Sequence, residues 1–190
     1  TANAQVLWSV DTWNGFAITP CTIESDMLDF AYVLVQLAHS ESADQQEALA
    51  ILRINRHGIV TGVYQHHLLS CEYSQAADIG RRWQIDASPD GEVYALDTET
   101  SMLLKFDPGG PLLYRLHLQS SGMLSSLACD SAGYIYFGSG RVVDRYSEDN
   151  RFIMKVDRNG HEEPSVTAFR GRIKKLIIDP YDRMAVLSGD

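Results

Sequence analysis

The chain has 190 residues, 45% of them hydrophobic and 22% charged, which is long and apolar enough for one globular domain with a sizeable core. Its formal net charge of −9 argues against nucleic acid as the main partner, because phosphate contacts need a broad basic surface. The longest apolar run, Phe30–Ala38, is far shorter than the roughly 20 residues of a membrane-spanning helix, so no membrane insertion is predicted.

The three cysteines, Cys21, Cys71 and Cys129, form no CxxC pair. Their number and spacing therefore favour free thiols over a disulfide framework or a zinc site. Free thiols favour a reducing compartment such as the cytoplasm. The sequence shows no signal-peptide pattern, but it leaves a periplasmic or secreted location open.

One sequence motif, an apolar run followed by Asp or Asn and a turn closed by Gly, occurs four times at a spacing of about 50 residues. The four copies are Val6–Gly15, Ile51–Gly58, Leu103–Gly110 and Ile153–Gly160. An Asp or Asn side chain can bond to the backbone of a tight turn, and Gly supplies its positive φ. Each copy therefore predicts a strand followed by a tight turn.

A second motif, which predicts a strand, a turn and another strand, alternates with the first along the chain. Its copies are Trp83–Leu96, Leu127–Phe137 and Leu176–Leu187. In each copy an Asp precedes the turn, so we expect Asp86, Asp130 and Asp179 to open β-hairpins. This turn role accounts for the repetition of the three carboxylates without any shared chemistry.

The two motifs together define a unit of four short strands, A to D, which is typical of a β-propeller. The absence of helical periodicity between the strands excludes a doubly wound α/β fold. We predict a single all-β propeller domain or segment over residues 1–190. Its parts are strands C–D at 6–20, blades at 21–70, 81–118 and 124–168, and strands A–B at 173–187.

These parts make about four blade-equivalents, which leaves two arrangements open. In a closed four-bladed ring, the terminal strands would share one blade, and Val6–Asp11 would pair with Met184–Leu187 of this chain or of another copy. In the alternative, the chain is an arc of a larger ring. Self-association is expected if the ring does not close within one chain.

The stretch Trp83–Gly110, WQIDASPDGEVYALDTETSMLLKFDPGG, resembles a blade of the NHL-repeat propellers and of the related TolB-like and YVTN-like groups, most of which have six blades. Leu124–Ala168 matches nearly as well, whereas the first half matches mainly through Ile51–Gly58. The resemblance implies propeller architecture, with A–B and C–D turns on one face of the ring and B–C and D–A loops on the other. It carries little information on function, because such blades occur in binding modules and in enzymes.

The long segments at 39–47, 65–82 and 138–151 are predicted B–C and D–A loops, and so they should lie on one face. Long loops on a rigid scaffold are common binding sites. The candidate binding residues on this face are His66, His67, Tyr73, Arg81, Arg82, Arg141, Arg145 and Tyr146.

The first functional hypothesis is a non-catalytic scaffold that binds a protein or peptide through this face. The alternatives are a hydrolase-, lactonase- or lyase-like propeller enzyme with a polar central channel, and a structural segment of a larger multidomain protein. The scaffold is favoured over an enzyme because no carboxylate or His breaks the repeat on strand A and no GxSxG elbow occurs. No catalytic residue is assigned.

No metal or other cofactor is predicted. Adjacent residues of an extended strand point to opposite faces, so His66 and His67 should not ligate one ion. The repeated Asp residues are similar to the axial carboxylates of calcium-dependent lactonase-like propellers, so axial Ca²⁺ is the alternative. The basic cluster Arg170–Lys175 is read as a solvated loop or as a contact for an acidic partner.

Overall fold

A computed structural model describes residues 10–25, 29–39, 48–69, 76–119, 124–139, 152–167 and 172–189. These ranges contain the strands β1 (Thr12–Trp13), β2 (Phe16–Ser25), β3 (Phe30–His39), β4 (Ala48–Asn55), β5 (Val60–Tyr64), β6 (Trp83–Ala87), β7 (Val93–Asp97), β8 (Met102–Phe106), β9 (Leu112–His117), β10 (Leu124–Cys129), β11 (Ile135–Ser139), β12 (Phe152–Val156), β13 (Glu162–Thr167), β14 (Arg172–Ile178) and β15 (Met184–Gly189). They also contain one helix, α1 (Ala76–Arg82). At seven residues, this helix is far below the length of a membrane span.

The strands form antiparallel sheets that follow the chain in order. Blade 1 is β2–β5, with β1 added beside β2; blade 2 is β6–β9, and blade 3 is β10–β13. The described part of blade 4 is the pair β14–β15. In each of the three larger sheets, four strands therefore occupy positions A to D, which is the blade of a β-propeller.

The predicted C–D turns are confirmed. In blade 2, the Gly110 N–H donates to the Asp107 carbonyl (2.8 Å), and the Gly109 N–H donates to the Asp107 carboxylate (2.8 Å). The same pattern closes the turns at 55–58 and 157–160. The final Gly of each turn has a φ between 77° and 109°, a region that disfavours side chains. The recurring motif thus specifies a turn through hydrogen bonds within the turn and the positive φ of its final Gly.

Three clusters of buried hydrophobic residues lie between adjacent blades. Trp83 of blade 2 packs with Tyr32 of blade 1, Tyr94 of blade 2 packs with Phe137 of blade 3, and Ile173 of blade 4 lies in a third cluster with residues of blade 3. All five side chains are buried. Burying such a side chain stabilises a fold by about 1.5–3 kcal/mol, so the blade interfaces hold the domain together.

The four A strands lie side by side in chain order. Strand β2 contacts β6, β6 contacts β10, and β10 contacts β14. The side chains of Glu24 in β2 and Lys175 in β14 form an ion pair, which links the first and the fourth of these strands. The A strands therefore surround a common space, as the inner strands of a propeller do.

The prediction of strands C and D at 6–20 is wrong for its second strand, which would be Phe16–Pro20. These residues begin β2, which pairs with β3 from Phe16 opposite His39 to Ser25 opposite Ala31. Pro20 has no N–H for the ladder, and the register shifts between Pro20 and Thr22, so the strand continues past it. Blade 1 therefore starts with Phe16 and not with residue 21.

The predicted pairing of Val6–Asp11 with Met184–Leu187 remains a prediction, since residues 6–9 lie outside the described ranges. The turn after this segment is a two-residue hairpin of Asn14 (φ 48°) and Gly15 (φ 82°), a type favoured between antiparallel strands. It brings the Asp11 carbonyl within 3.1 Å of the Ile18 N–H, which donates to it.

Helix α1 lies in the D–A connection that the sequence indicates as a loop. Ile79 anchors it in the core between blades 1 and 2. Gly80 lies so close to β2 that a Cβ atom there would come within 2.4 Å of the Cys21 carbonyl oxygen. Asp78 in the first turn and Arg81 and Arg82 in the last suit the helix dipole. The helix fixes where Arg82 enters blade 2.

Candidate functional site

A cleft of about 530 Å³, here called the rim cleft, opens on the face that carries the B–C and D–A connections. Its lining comes from the segment after β5, the end of α1, the β7–β8 turn and the end of β9. The lining residues are His67, Leu68, Arg82, Asp97, Thr100, Met102, Arg115, Leu116 and His117.

Arg82 is fixed within this cleft by carboxylates. Its Nε and Nη2 donate to Asp97 Oδ1 (3.2 Å) and Oδ2 (2.8 Å), and its Nη1 lies 3.3 Å from Glu99 Oε2. The Asp97 side chain is only 2% exposed, and it also accepts hydrogen bonds from the Glu99 and Thr100 N–H groups. Arg82 therefore braces the β7–β8 turn, and its charge is compensated.

Arg115 differs from Arg82. It is exposed, and no carboxylate among the described residues pairs with it. Nearby, the rings of His66 and His67 stack with centroids 4.1 Å apart, and His66 Nδ1 accepts a hydrogen bond from the Leu68 N–H (3.2 Å). Burial, followed by the charges of His67 and Arg115, lowers the pKa of His66. Arg115 thus places a positive charge close enough to His66 to affect its pKa.

The structure brings together some of the predicted site residues. His67 and Arg82 line the rim cleft, and His66 stacks beside it. Arg81 is outside the lining, with a side chain 83% exposed and a distant ion pair (3.6 Å) to Asp78. The remaining four candidates lie outside the described residues: Tyr73, Arg141, Arg145 and Tyr146.

Sequence reasoning missed Arg115 and His117. The burial of β9 alternates strictly, with the residues at 113, 115 and 117 exposed on one side of the strand. The alternation of polar residues at 115 and 117 in the sequence is the signal that could have located them.

A second cavity of about 420 Å³, here called the axial pocket, lies between the four A strands. Strand pairing gives the equivalent positions on these strands: Glu24 is opposite Tyr32, Asp86 opposite Tyr94, Ala128 opposite Tyr136 and Ile177 opposite Ala185. All four equivalent residues line the pocket. Two carboxylates of adjacent blades therefore stand where the other two blades have apolar side chains.

The expectation that Asp86 opens a hairpin is wrong. Ser88 opens it, since the Ser88 carbonyl accepts from the Gly91 N–H (2.8 Å) and the Ser88 hydroxyl accepts from the Glu92 N–H (3.2 Å). Asp130 and Asp179 do open turns, as predicted. A serine hydroxyl can take the place of the Asp carboxylate in such a turn. Asp86, which lies two residues before Ser88, is therefore not part of the turn. A carboxylate thus breaks the repeat on strand A, which removes the sequence argument that favoured a scaffold over an enzyme.

Asp86 joins two blades. Its Oδ1 accepts a hydrogen bond from the Ala87 N–H (2.9 Å), and its Oδ2 accepts one from the Cys129 N–H of blade 3 (2.7 Å). Burial raises the pKa of Asp86 to about 7, although both hydrogen bonds act in the opposite direction. Burial and the neighbouring Asp86 also raise the pKa of the Cys129 thiol well above its ordinary value.

Among the described residues, the axial pocket shows no group of oxygen ligands assembled for the calcium site considered from the sequence. Calcium takes six to eight oxygen ligands. Glu24 is paired with Lys175, and both oxygens of Asp86 already accept N–H groups. Within the described ranges, no three His, Cys, Asp or Glu side chains are grouped so that they could hold a metal ion.

No family model matches the chain, and no curated protein matches it. Solved structures do match. A streptogramin B lyase superposes with a TM-score of 0.56 at 10% identity, over 89% of this chain and 48% of its own. The calcium-binding protein regucalcin from Agrobacterium tumefaciens gives 0.53 at 15% identity, over 90% and 53%. A luciferin-regenerating enzyme gives 0.55 at 10%, over 92% and 54%.

At these identities the likeness concerns the fold and not the activity. The chain spans about half the length of each of the three structures. The antiparallel four-stranded sheets, the inter-blade cores and the likeness to these structures agree on one architecture. The chain has the β-propeller fold.

Proposed function

We propose that this chain is a β-propeller module that binds a protein or peptide partner at the rim cleft. The observation that carries the proposal is the position of the cleft, which opens on the face of the B–C and D–A connections and is lined by His67 and Arg82. Loops held by a rigid scaffold are common sites of recognition.

The composition of the cleft supports binding. Leu68, Met102 and Leu116 supply apolar surface, and Arg115 and His117 supply polar groups. A concave surface that combines apolar side chains with polar groups able to orient a ligand is typical of binding sites. No nucleophile–base hydrogen bond is found among the described lining residues, and the ion pair between Arg82 and Asp97 is structural.

A random peptide library displayed on phage and selected on the whole chain would test this proposal. Selected peptides should bind the wild type and lose at least about tenfold in affinity on Arg115→Glu. The matched control is Arg56→Glu, an exposed Arg in the C–D turn of blade 1 and so on the opposite face. Peptides that lose affinity with Arg56→Glu and keep it with Arg115→Glu would contradict the proposal.

An enzyme of the hydrolase, lactonase or lyase kind, acting in the axial pocket, is the second candidate. It is favoured by Glu24 and Asp86, which break the repeat at one position of strand A. A carboxyl group whose pKa lies near neutrality suits general acid–base catalysis. A panel of lactones and esters would test it, with Asp86→Asn as the variant. Turnover by the wild type that falls about 100-fold in Asp86→Asn supports this candidate, and unchanged turnover contradicts it.

We further infer that the blades are of the NHL or TolB-like type, which the Trp83–Gly110 motif and its turn at 107–110 support. A chain that spans half of its structural neighbours can also act as a segment of a larger assembly. Light scattering coupled to size-exclusion chromatography would test self-association: a mass above the 21.2 kDa of one chain supports it, and a mass of one chain contradicts it.

A further inference from the structure

We infer that the segment bound in the rim cleft carries an apolar side chain directly beside a single carboxylate, and that Arg115 receives this carboxylate. This inference rests on the proposed function and adds the chemistry of the partner to it. It follows from which charges of the cleft are already compensated and which are not.

The first step concerns the two arginines. The Arg82 guanidinium forms ion pairs with Asp97 at 2.8 Å and with Glu99 at 3.3 Å. It therefore has few N–H groups left for a ligand. Arg115 is exposed and has no carboxylate partner within the described ranges. A guanidinium matches a carboxylate through two parallel hydrogen bonds, so Arg115 is the group that selects an anionic ligand.

The second step concerns the histidines. His66 Nδ1 accepts a hydrogen bond from the Leu68 N–H, so this nitrogen carries no proton, and the His66 ring stacks on that of His67, which lines the cleft. His117 Nδ1 donates to the Leu118 carbonyl (3.3 Å), since a carbonyl only accepts, and this leaves Nε2 available. His67 and His117 thus add polar groups near Arg115 without adding a negative charge.

The third step concerns the apolar lining. Leu68, Met102 and Leu116 are partly buried, so an apolar side chain of a partner would remove their remaining surface from water. Such burial contributes about 25 cal/mol per Å², and methionine adapts to varied shapes. The ligand therefore needs an apolar group within reach of the carboxylate that pairs with Arg115.

The fourth step limits the number of carboxylates. Glu99, in the β7–β8 turn, has a side chain that is 42% exposed, and its Oε2 lies 3.3 Å from Arg82 Nη1. A run of acidic residues would bring further negative charge beside this exposed carboxylate. A single carboxylate beside an apolar residue meets Arg115 without this cost.

Labelled peptides in a Gly/Ser background would test the inference, with central pairs Leu-Glu, Leu-Gln and Ala-Glu and a run of Glu. Fluorescence anisotropy should show that Leu-Glu binds at least about tenfold more tightly than each of the other three. Arg115→Gln should remove the preference of Leu-Glu over Leu-Gln. Arg81→Gln is the matched control, since Arg81 is an exposed Arg of the same face outside the cleft lining, and it should leave the preference intact.

Charge reversal gives a readout that a structural role of Arg115 would not move. Arg115→Glu should prefer a Leu-Lys peptide over Leu-Glu. Equal binding of Leu-Glu and Leu-Gln overturns the inference but leaves the proposed function standing if library-selected peptides still depend on the cleft. Absence of Leu-Glu binding at about 1 mM also overturns it. Library peptides that bind outside the cleft refute the proposed function itself.

Discussion

The carboxylate of Asp86 in blade 2 accepts a 2.7 Å hydrogen bond from the Cys129 N–H in blade 3. This bond ties two adjacent A strands together at the wall of the axial pocket. It also places a titratable group where the repeat has Ala128 in the next blade. The same residue is therefore a structural link and the most unusual chemical group of the axis.

Asp86 should make stability fall as pH rises. Burial raises its pKa from 3.8 to about 7, so between these values the folded state holds a proton that the unfolded state releases. The stabilisation is complete below the unfolded pKa and is lost as pH rises through about 7. Urea unfolding between about pH 5 and pH 8 should show a steeper loss for the wild type than for Asp86→Asn, by up to about 1.4 kcal/mol per pH unit. Parallel pH profiles of the two proteins would contradict this expectation.

The contributions of Lys105 and Glu92 to the unfolding free energy should depend strongly on each other. The Lys105 Nζ lies 3.0 Å from Glu92 Oε2, and the two side chains are 5% and 9% exposed. Arg158 of blade 3 also reaches Glu92 (3.1 Å). Glu92→Gln leaves the Lys105 charge buried, and we expect it to cost about 3–5 kcal/mol of unfolding free energy.

The double variant Glu92→Gln/Lys105→Met provides the control for this pair. It removes both charges, so it should cost less than the sum of the two single substitutions in a double-mutant cycle measured by denaturant unfolding. Additive effects would show that the two groups do not depend on each other.

Gly138 should be intolerant of a side chain. A Cβ atom at this position of β11 would lie 2.5 Å from Cγ2 of Ile173, which is fully buried between blades 3 and 4. Gly138→Ala should therefore lower the unfolding free energy by about 1–3 kcal/mol. Gly62→Ala in β5 is the matched control, because the Cβ there meets only the Arg53 side chain, at 3.3 Å. Equal effects in thermal unfolding would show that the blade 3–4 contact is looser than described.

Cys129 should react slowly with thiol reagents. Burial, with the nearby charges of Asp86 and Asp130, raises its thiol pKa well above the ordinary value, so little thiolate is present near neutral pH. Iodoacetamide labelling followed by mass spectrometry should modify Cys129 much more slowly in the native protein than after unfolding in urea. Rapid native labelling of Cys129 would contradict the described environment of the thiol.

Substitution of Arg82 should lower the stability of the fold, whereas substitution of Arg115 should leave stability nearly unchanged. Arg82→Gln leaves the Asp97 carboxylate, which is 2% exposed, without its bidentate partner, and should cost about 2–4 kcal/mol of unfolding free energy. Arg115→Gln removes an exposed side chain and should change stability by less than about 0.5 kcal/mol. Denaturant unfolding of the two variants measures the difference. A larger loss for Arg115→Gln than for Arg82→Gln would reverse their roles.

Several features of the fold could be read from the sequence because they depend on neighbours in the chain. The turns at 55–58, 107–110 and 157–160 close through hydrogen bonds within four residues, so an Asp or Asn and a Gly at fixed spacing suffice to predict them. The alternation of apolar residues predicts the strands that these turns connect. The same local logic failed at Asp86, because two residues that can open a turn, Asp86 and Ser88, lie only two positions apart in the sequence and only the hydrogen bonds distinguish them.

By itself, the sequence determined the blade unit and its four-strand order. The tertiary structure alone decided which side chains meet. His67 and Arg115 line one cleft although 47 residues separate them, and Glu24 and Lys175 pair across the A strands from opposite ends of the chain. The physical reason is that a repeat fixes hydrogen bonds between near neighbours, whereas a site needs contacts between blades, whose geometry follows from packing of the buried side chains between them.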